Sequence, residues 1–238
     1  MEQNLSKKTR TESDLIGSRE VPESALYGVQ TLRGIENFRI SKFHLNEYPL
    51  FIQALAITKM GAAVANRELD LLTEEQTDAI LKACKEILEG KHHEQFPVDM
   101  IQGGAGTTTN MNANEVIANR ALELLGHQRG EYQYCSPNDH VNRSQSTNDA
   151  YPTAIHIGLY YTHLKLVKHF VELIESFRKK GKEFAHVIKM GRTQLEDAVP
   201  MTLGQTFNGF ASILEHEVKN LDFSAQDFLT VNIGATPI

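Results

Sequence analysis

The chain has 238 residues, of which 41% are apolar and 23% charged, and its formal net charge is −6. This balance is ordinary for a globular protein with a sizeable core, and dispersed negative charge disfavours nucleic acid, whose phosphates need clustered Lys and Arg. No early segment resembles a signal peptide, no apolar run approaches the ~20 residues that span a bilayer, and two cysteines cannot form a disulfide framework. We therefore expect a cytoplasmic protein with neither a nucleic-acid nor a membrane partner.

The first half of the chain is predicted to begin irregularly and then to become helical. Glycine and proline recur through residues 1–49, and both interrupt helices and strands. Three helices are then expected, over residues 50–72, 77–88 and 112–125. Thr73 and Gln76 form a capping box before the second of these helices. Asn112 and Glu115 offer capping side chains for the third.

The second half is predicted to contain two longer helices. Apolar residues recur every three or four positions from Tyr160 to Ile174 and again from Phe207 to Phe228, a period typical of long helices packed side by side. No strand alternation of comparable length is present, so we predict an all-α, mainly helical fold. Residues 1–145 are expected to form a small N-terminal helical domain. Residues 146–238 are expected to form the first part of a central helical bundle, truncated because a bundle normally has about four helices.

Three polar segments stand out as candidates for a binding site. Residues 103–112 combine three glycines, three threonines and two asparagines without an ionisable side chain, and Ser144–Asp149 and Gly191–Gln194 are similarly polar. Glycines let a backbone approach a ligand closely, and hydroxyls and amides donate to an anion without adding charge. The segments therefore indicate a site for a small polyanionic acid. The first two segments also have equally good structural explanations. Residues 103–112 can be a glycine-rich turn, and Ser144–Asp149 can provide a hydroxyl cap, Thr147 or Asp149, for a helix near Tyr151.

Patterns for other kinds of site are missing from the sequence. Residues 103–112 lack the ending of a phosphate-binding P-loop and the spacing of a dinucleotide site. The ten histidines show no metal-ligand spacing, and no nucleophile elbow is present. We expect no metal and no cofactor. For Asp139 and His140 we expect a structural hydrogen bond in place of a proton shuttle, and for Cys84 a buried reduced thiol.

Several segments together resemble conserved blocks of the aspartase/fumarase superfamily. The longer segments are Gly104–Ala121, Ser136–Asp149 and Met190–Gln205, and shorter matches lie at residues 17–22, 27–33 and 95–99. The resemblance covers essentially the whole chain, which corresponds to the N-terminal half of a family member roughly twice as long. Within the family, Gln194 and Ser136 stand where fumarases usually carry His. These two differences favour the aspartase branch over fumarase.

The resemblance implies a carbon–nitrogen lyase that reversibly deaminates L-aspartate to fumarate and ammonia by anti-elimination through an aci-carboxylate. It also implies a homotetramer whose active sites each draw on three subunits. By resemblance, four hydroxyls bind the substrate carboxylates: those of Thr107, Ser146, Thr147 and Thr193. Asn148 is expected to contact the substrate's amino group or a carboxylate, and Gln194 to orient the substrate.

The catalytic base is expected to lie outside this sequence. Family members take the β-proton with a serine on a flexible Gly-Ser-Ser-x-Met-Pro-x-Lys-x-Asn loop, and no such segment occurs in residues 1–238. We therefore expect no catalytic residue within this chain and no normal activity from these residues alone. Two alternatives remain open. One is a fumarase, and the other is a truncated, catalytically inactive helical assembly module, which requires the reading frame to stop after Ile238.

Overall fold

The computed structural model describes residues 8–234, so the outermost residues of both predicted domains, 1–7 and 235–238, lie outside the described residues. The structure is mainly helical, as predicted. The α-helices are α1 (Val29–Asn37), α2 (Pro49–Glu68), α3 (Glu74–Leu88), α4 (Thr107–Leu124), α5 (Thr147–Glu183) and α6 (Leu203–Ala225). Single turns of 3-10 or π-helix lie at Leu45–Glu47, His93–Gln95, Pro137–Val141 and Gln226–Leu229. Across the described part of the chain, no helix is both long and apolar enough to cross a membrane.

Two short antiparallel hairpins accompany the helices. Strand β1 (Thr9–Asp14) pairs with β2 (Gly17–Pro22), and β3 (Ile188–Thr193) pairs with β4 (Glu196–Thr202). Together with α1, the first hairpin shows that the irregular start predicted for residues 1–49 is wrong. Both hairpins are largely exposed, so their strands lack the alternation of apolar and polar residues by which a strand is normally recognised.

The contacts divide the chain into two compact units. The first unit comprises Met1–Gly158 with Val231–Ile238, and the second unit comprises Leu159–Thr230. Helix α5 begins in the first unit and continues into the second. These units describe contacts within the chain, and the domain boundary predicted at residues 145/146 stays a prediction.

The core of the first unit lies between α2, α3 and α4. Apolar side chains from all three helices are completely buried there, among them Ile52, Ile80, Ile117 and Leu122. Helix α3 begins at the predicted capping box, in which the Gln76 N–H donates to Thr73 Oγ1 and the Thr73 N–H to Gln76 Oε1, both over 3.2 Å. The predicted capping box is confirmed, and the helix starts directly after it, at Glu74, three residues before the predicted start at residue 77.

Helix α4 is the central helix of the first unit, and its predicted start at Asn112 is wrong. The helix begins at Thr107, and both Asn112 and Glu115 lie buried within it. Glu115 instead accepts hydrogen bonds from the backbone N–H groups of Gly28, Gln30 and Thr31. Its carboxylate thus caps the N-terminus of α1, because the first N–H groups of a helix have no partner within the helix.

In the second unit, α5 and α6 run beside each other and are joined by the β3–β4 hairpin. The ring of Phe177 lies 6.0 Å from that of Phe207 and 5.7 Å from that of Phe210. Arg178 reaches from α5 to the carboxylate of Glu215 on α6 over 2.7 Å. These contacts confirm the two long helices that the apolar period predicts.

Candidate functional site

A sharp turn before α4 places Thr107 at the start of that helix. Gly104, Ala105 and Gly106 all have left-handed backbone conformations, with φ of 73°, 51° and 88°. The carbonyl oxygen of Gly104 accepts both the Thr107 N–H, over 3.1 Å, and the Thr107 hydroxyl, over 2.6 Å. A Cβ atom on Gly106 would overlap the ring of Tyr151. The glycines are therefore required by the turn, and the turn leaves Thr107 exposed.

Gln102 fixes the first turn of α4 from the side. Its Oε1 accepts the Thr109 N–H over 2.8 Å, and its Nε2 donates to Thr109 Oγ1 over 2.6 Å. The N-terminus of a helix carries partial positive charge from the aligned peptide dipoles. Thr107 thus lies at a position that attracts anions.

Ser146 forms the N-terminal cap of α5, which corrects the prediction that Thr147 or Asp149 caps a helix starting near Tyr151. Ser146 Oγ accepts the Asn148 N–H over 3.1 Å, and Asp149 Oδ2 accepts the Ser146 N–H over 3.1 Å. The helix consequently begins four residues earlier, at Thr147. Thr147 and Asn148 are its first two residues, and the Asn148 side chain is exposed.

The first turns of α4 and α5 are joined to each other within the first unit. Asn110 Nδ2 donates to Thr147 Oγ1 over 3.2 Å and to Asn142 Oδ1 over 3.1 Å. Tyr151, in the first turns of α5, packs against Gly106 immediately before α4. The structure therefore brings the predicted residues Thr107, Ser146, Thr147 and Asn148 to two neighbouring helix N-termini.

The remaining predicted residues, Thr193 and Gln194, belong to the second unit. Thr193 is the last residue of β3, and Gln194 and Leu195 form the turn that leads to β4. Both turn residues have positive φ, 48° and 70°, as a two-residue hairpin turn with right-handed strand twist requires. The side chains of Thr193 and Gln194 are exposed.

Lys59 is a functional candidate that the sequence analysis missed. Its side chain is completely buried, and its Nζ donates to Asn142 Oδ1 over 2.8 Å and to Gln145 Oε1 over 2.9 Å. Burial lowers the pKa of this ammonium group to about 7. The helical spacing offered a signal, since Lys59 follows the buried residues Ile52 and Leu55 on one face of α2.

His140 and Cys84 have structural environments of the kind predicted. His140 Nδ1 accepts the backbone N–H of Ser136 over 2.7 Å, so its partner is the main chain, and burial lowers the pKa of the imidazole. Cys84 is a buried free thiol, and burial raises its pKa to about 12. Neither group has the setting of a reactive nucleophile or a proton shuttle.

Comparison with known proteins identifies the family. A family model described as Lyase matches residues 17–238. The chain belongs to this lyase family. The aspartate ammonia-lyase of Pseudomonas canavaninivorans is 57% identical to this lyase chain over 230 residues, which make up 96% of the chain and 48% of that protein. The aspartate ammonia-lyase of Escherichia coli (strain K12) is 54% identical over 235 residues, covering 98% of the chain and 49% of that protein.

Solved structures agree with this assignment. A fumarate lyase:delta crystallin from Brucella melitensis in native form matches with a TM-score of 0.93 and 52% identity, covering 96% of this lyase chain and 53% of that structure. A class II fumarase from Schistosoma mansoni matches with a TM-score of 0.87 and 36% identity, covering 97% and 48%. The resemblance stated from the sequence motifs is confirmed. The chain spans about half the length of the curated relatives it matches.

Proposed function

We propose that this chain is the substrate-binding portion of an aspartate ammonia-lyase, which interconverts L-aspartate with fumarate and ammonia. The observation that carries the proposal is the pair of helix N-termini, α4 and α5, joined through Asn110 and bearing Thr107, Ser146 and Thr147. Hydroxyl groups at two positive dipole ends suit a substrate with two carboxylates. The 57% and 54% identities to aspartate ammonia-lyases support the same substrate.

The chemistry needs neutral donors that are already in position. Removing the proton from Cβ of aspartate places a second negative charge on the adjacent carboxylate, which becomes an aci-carboxylate, and ammonia then leaves from Cα. Preorganised donors stabilise charge that develops only in the transition state. We assign the carboxylates to Thr107, Ser146, Thr147 and Thr193, the amino group or a carboxylate to Asn148, and orientation of the substrate to Gln194.

We assign neither the catalytic serine base nor the complete active site to residues 1–238. The expected serine loop has no counterpart in residues 1–238, so residues 1–238 alone are expected to bind substrate groups without turnover. The family resemblance suggests a homotetramer, and exposed apolar side chains on α5 and α6, among them Leu164, Leu166 and Ile213, offer surface for association.

Fumarase is the competing assignment, favoured by the similarity to a class II fumarase. Two positions weigh against it. Ser136 and Gln194 replace the His residues that are usual in fumarases, and Ser136 uses its hydroxyl to accept the N–H groups of Asn138 and Asp139. A site lacking both imidazoles is a poorer match to hydration of fumarate than to addition of ammonia.

Replacing one hydroxyl tests the proposal. In the natural gene product, Thr147→Val removes the hydroxyl with little change of shape and is expected to lower kcat/KM for L-aspartate about 100-fold, as for other lost transition-state donors. Thr153→Val is the matched control on the same helix, because Thr153 Oγ1 is buried without a partner among the described residues. Equal activity of the two variants would reject the assigned role of Thr147.

A further inference from the structure

Lys59 is an unusual residue for the core of the first unit. Its ammonium group is bound by the neutral side-chain oxygens of Asn142 and Gln145, and within residues 8–234 no carboxylate contributes to the pKa shift of Lys59. Burying an ammonium group without a counter-charge is unfavourable, because the charge loses its hydration. An apolar residue would satisfy the packing of α2 at lower cost, so packing alone does not account for a lysine here.

The hydrogen bonds of Lys59 lead to Thr147 in a fixed direction. An ammonium group only donates, so Asn142 must present Oδ1 to Lys59, and Asn110 must then present Nδ2 to the same oxygen. The same Nδ2 group of Asn110 also donates to Thr147 Oγ1. Because the Thr147 oxygen already accepts, its own proton remains available to donate outward.

We propose that Lys59 is a positioning residue that makes Thr147 a hydrogen-bond donor toward a substrate carboxylate and adds positive charge beneath the joined helix N-termini. This inference rests on the proposed function. The link between the Lys59 ammonium group and the Thr147 hydroxyl runs through the side-chain amides of Asn142 and Asn110, whose orientations are fixed in turn. Lys59 also donates to the Gln145 side chain, and Asn142 Nδ2 donates to the backbone carbonyl of Gln145, immediately before Ser146.

The electrostatic surroundings of Lys59 agree with such a role. Cys84 is the titratable neighbour of Lys59. Burial raises the pKa of this thiol to about 12, so at pH 7 the thiol is neutral and supplies no counter-charge. A dianion at the nearby helix N-termini favours the protonated form of Lys59. Substrate binding and the charge of this lysine are thus expected to support each other.

A comparison of two lysines tests the inference in the natural gene product. Lys59→Met removes the donors and the charge while filling the space, and Lys82→Met removes the same charge from the exposed face of α3. The probe is succinate, a saturated dicarboxylate. We expect Lys59→Met to raise the Kd for succinate and the KM for L-aspartate about tenfold, as expected when a buried donor network is broken, and Lys82→Met to change neither.

A double-mutant cycle separates positioning from general support of the fold. If Lys59 acts through Thr147, then Lys59→Met weakens succinate binding much less in a Thr147→Val background than in the wild type. Should circular dichroism show that Lys59→Met is unfolded, Asn110→Ala replaces it in the cycle, because this variant cuts the link to Thr147 and leaves Lys59 in place. An unchanged Kd in the folded variant, or strictly additive effects, would overturn the inference.

The outcomes also distinguish the inference from the proposed function. If the wild type turns over L-aspartate and Lys59→Met binds succinate normally, the proposed function stands and the role of Lys59 is rejected. A wild-type protein that neither binds succinate nor turns over L-aspartate rejects both.

Discussion

At the scale of single residues, Gly106 is the position that most strictly constrains the candidate site. Its φ of 88° lies in the left-handed region, which a side chain rarely tolerates. The ring of Tyr151 occupies the space that a Cβ atom would need. Backbone conformation and packing thus both demand glycine, directly before Thr107.

Gly106→Ala is therefore expected to destabilise the fold by about 1–3 kcal/mol and to displace Thr107. Gly61→Ala is the control, because Gly61 lies in α2 with nothing within 4 Å of an added Cβ, and it should stabilise the helix by about 0.5–1 kcal/mol. Chemical denaturation of the natural gene product with each substitution measures both effects. Equal stability of the two variants would contradict the role given to Gly106.

Some residues of the candidate site were predictable from local sequence and others were not. Thr107, Ser146 and Thr147 lie at helix starts, where hydroxyls and glycines give a local signal. For Lys59 the helical period shows that the position faces the core. Its partners Asn142 and Gln145, however, are 83 and 86 residues further along. Sequence periodicity carries no information on contacts of that separation.

At the scale of elements, the β3–β4 hairpin holds two non-glycine residues in a turn that favours glycine. Gln194 and Leu195 both have positive φ, whereas Asn-Gly or Gly-Gly are the preferred pairs for such turns. Each strained residue costs on the order of 1 kcal/mol. Strain of this kind is retained where a side chain has a function, which agrees with the orienting role proposed for Gln194.

Relieving this strain should separate stability from activity. Gln194→Gly and Leu195→Gly are each expected to stabilise the hairpin by about 0.5–1 kcal/mol. Gln194→Gly should also lower kcat/KM for L-aspartate at least about tenfold, since it removes the amide. Leu195→Gly leaves the amide in place and should retain more activity. Thermal unfolding and steady-state kinetics provide the comparison, and equal activity of the two variants would remove Gln194 from the site.

Helices α3 and α4 are linked by a pair of charge-assisted hydrogen bonds. Arg120 donates to both carboxylate oxygens of Glu86, over 2.6 and 2.8 Å. Hydrogen bonding by Arg120 and then by His92 lowers the pKa of Glu86 from 4.5 to about 2. Because the folded-state pKa is lowered, the stabilisation is fully present above about pH 4.5 and disappears as the pH falls through about 2.

Glu86→Gln is accordingly expected to reduce the free energy of unfolding by about 1 kcal/mol at pH 7, a value discounted for solvent screening. The variant should also lose less stability than the wild type between about pH 4.5 and 2. Urea unfolding at a series of pH values measures this, with Glu89→Gln, an exposed carboxylate at the end of the same helix, as the control. If the free energy of unfolding fell equally with pH in Glu86→Gln and in the wild type, the stabilising role of the Glu86 carboxylate would be refuted.

The elements differ in how far the sequence predicts them. The period of apolar residues predicted α5 and α6, and the capping box of Thr73 and Gln76 predicted α3, because each of these signals lies within or directly beside its own helix. Helix α1 was missed because its stability depends on remote groups. The carboxylates of Glu115 and Glu12 accept N–H groups of its first turn from 87 and 17 residues away. Start and end signals local to α1 are correspondingly weak, and it has no side-chain cap of its own.

At the scale of the whole molecule, the residues proposed to bind the substrate belong to both units. Two joined helix N-termini in the first unit carry Thr107, Ser146 and Thr147, and a hairpin in the second unit carries Thr193 and Gln194. Each of these side chains is neutral and polar, and such groups stabilise a developing anion by hydrogen bonding. These residues match the substrate-binding role proposed for them, and abstraction of the proton is assigned to none of them.

The proposed aspartate ammonia-lyase activity is tested most directly by a side-by-side assay of the natural gene product with L-aspartate and L-malate. We predict release of fumarate and ammonia in equal amounts from L-aspartate, and no fumarate from L-malate. Residues 1–238 expressed alone should release none from either. Fumarate formed from L-malate but not from L-aspartate would contradict the proposed function and identify a fumarase.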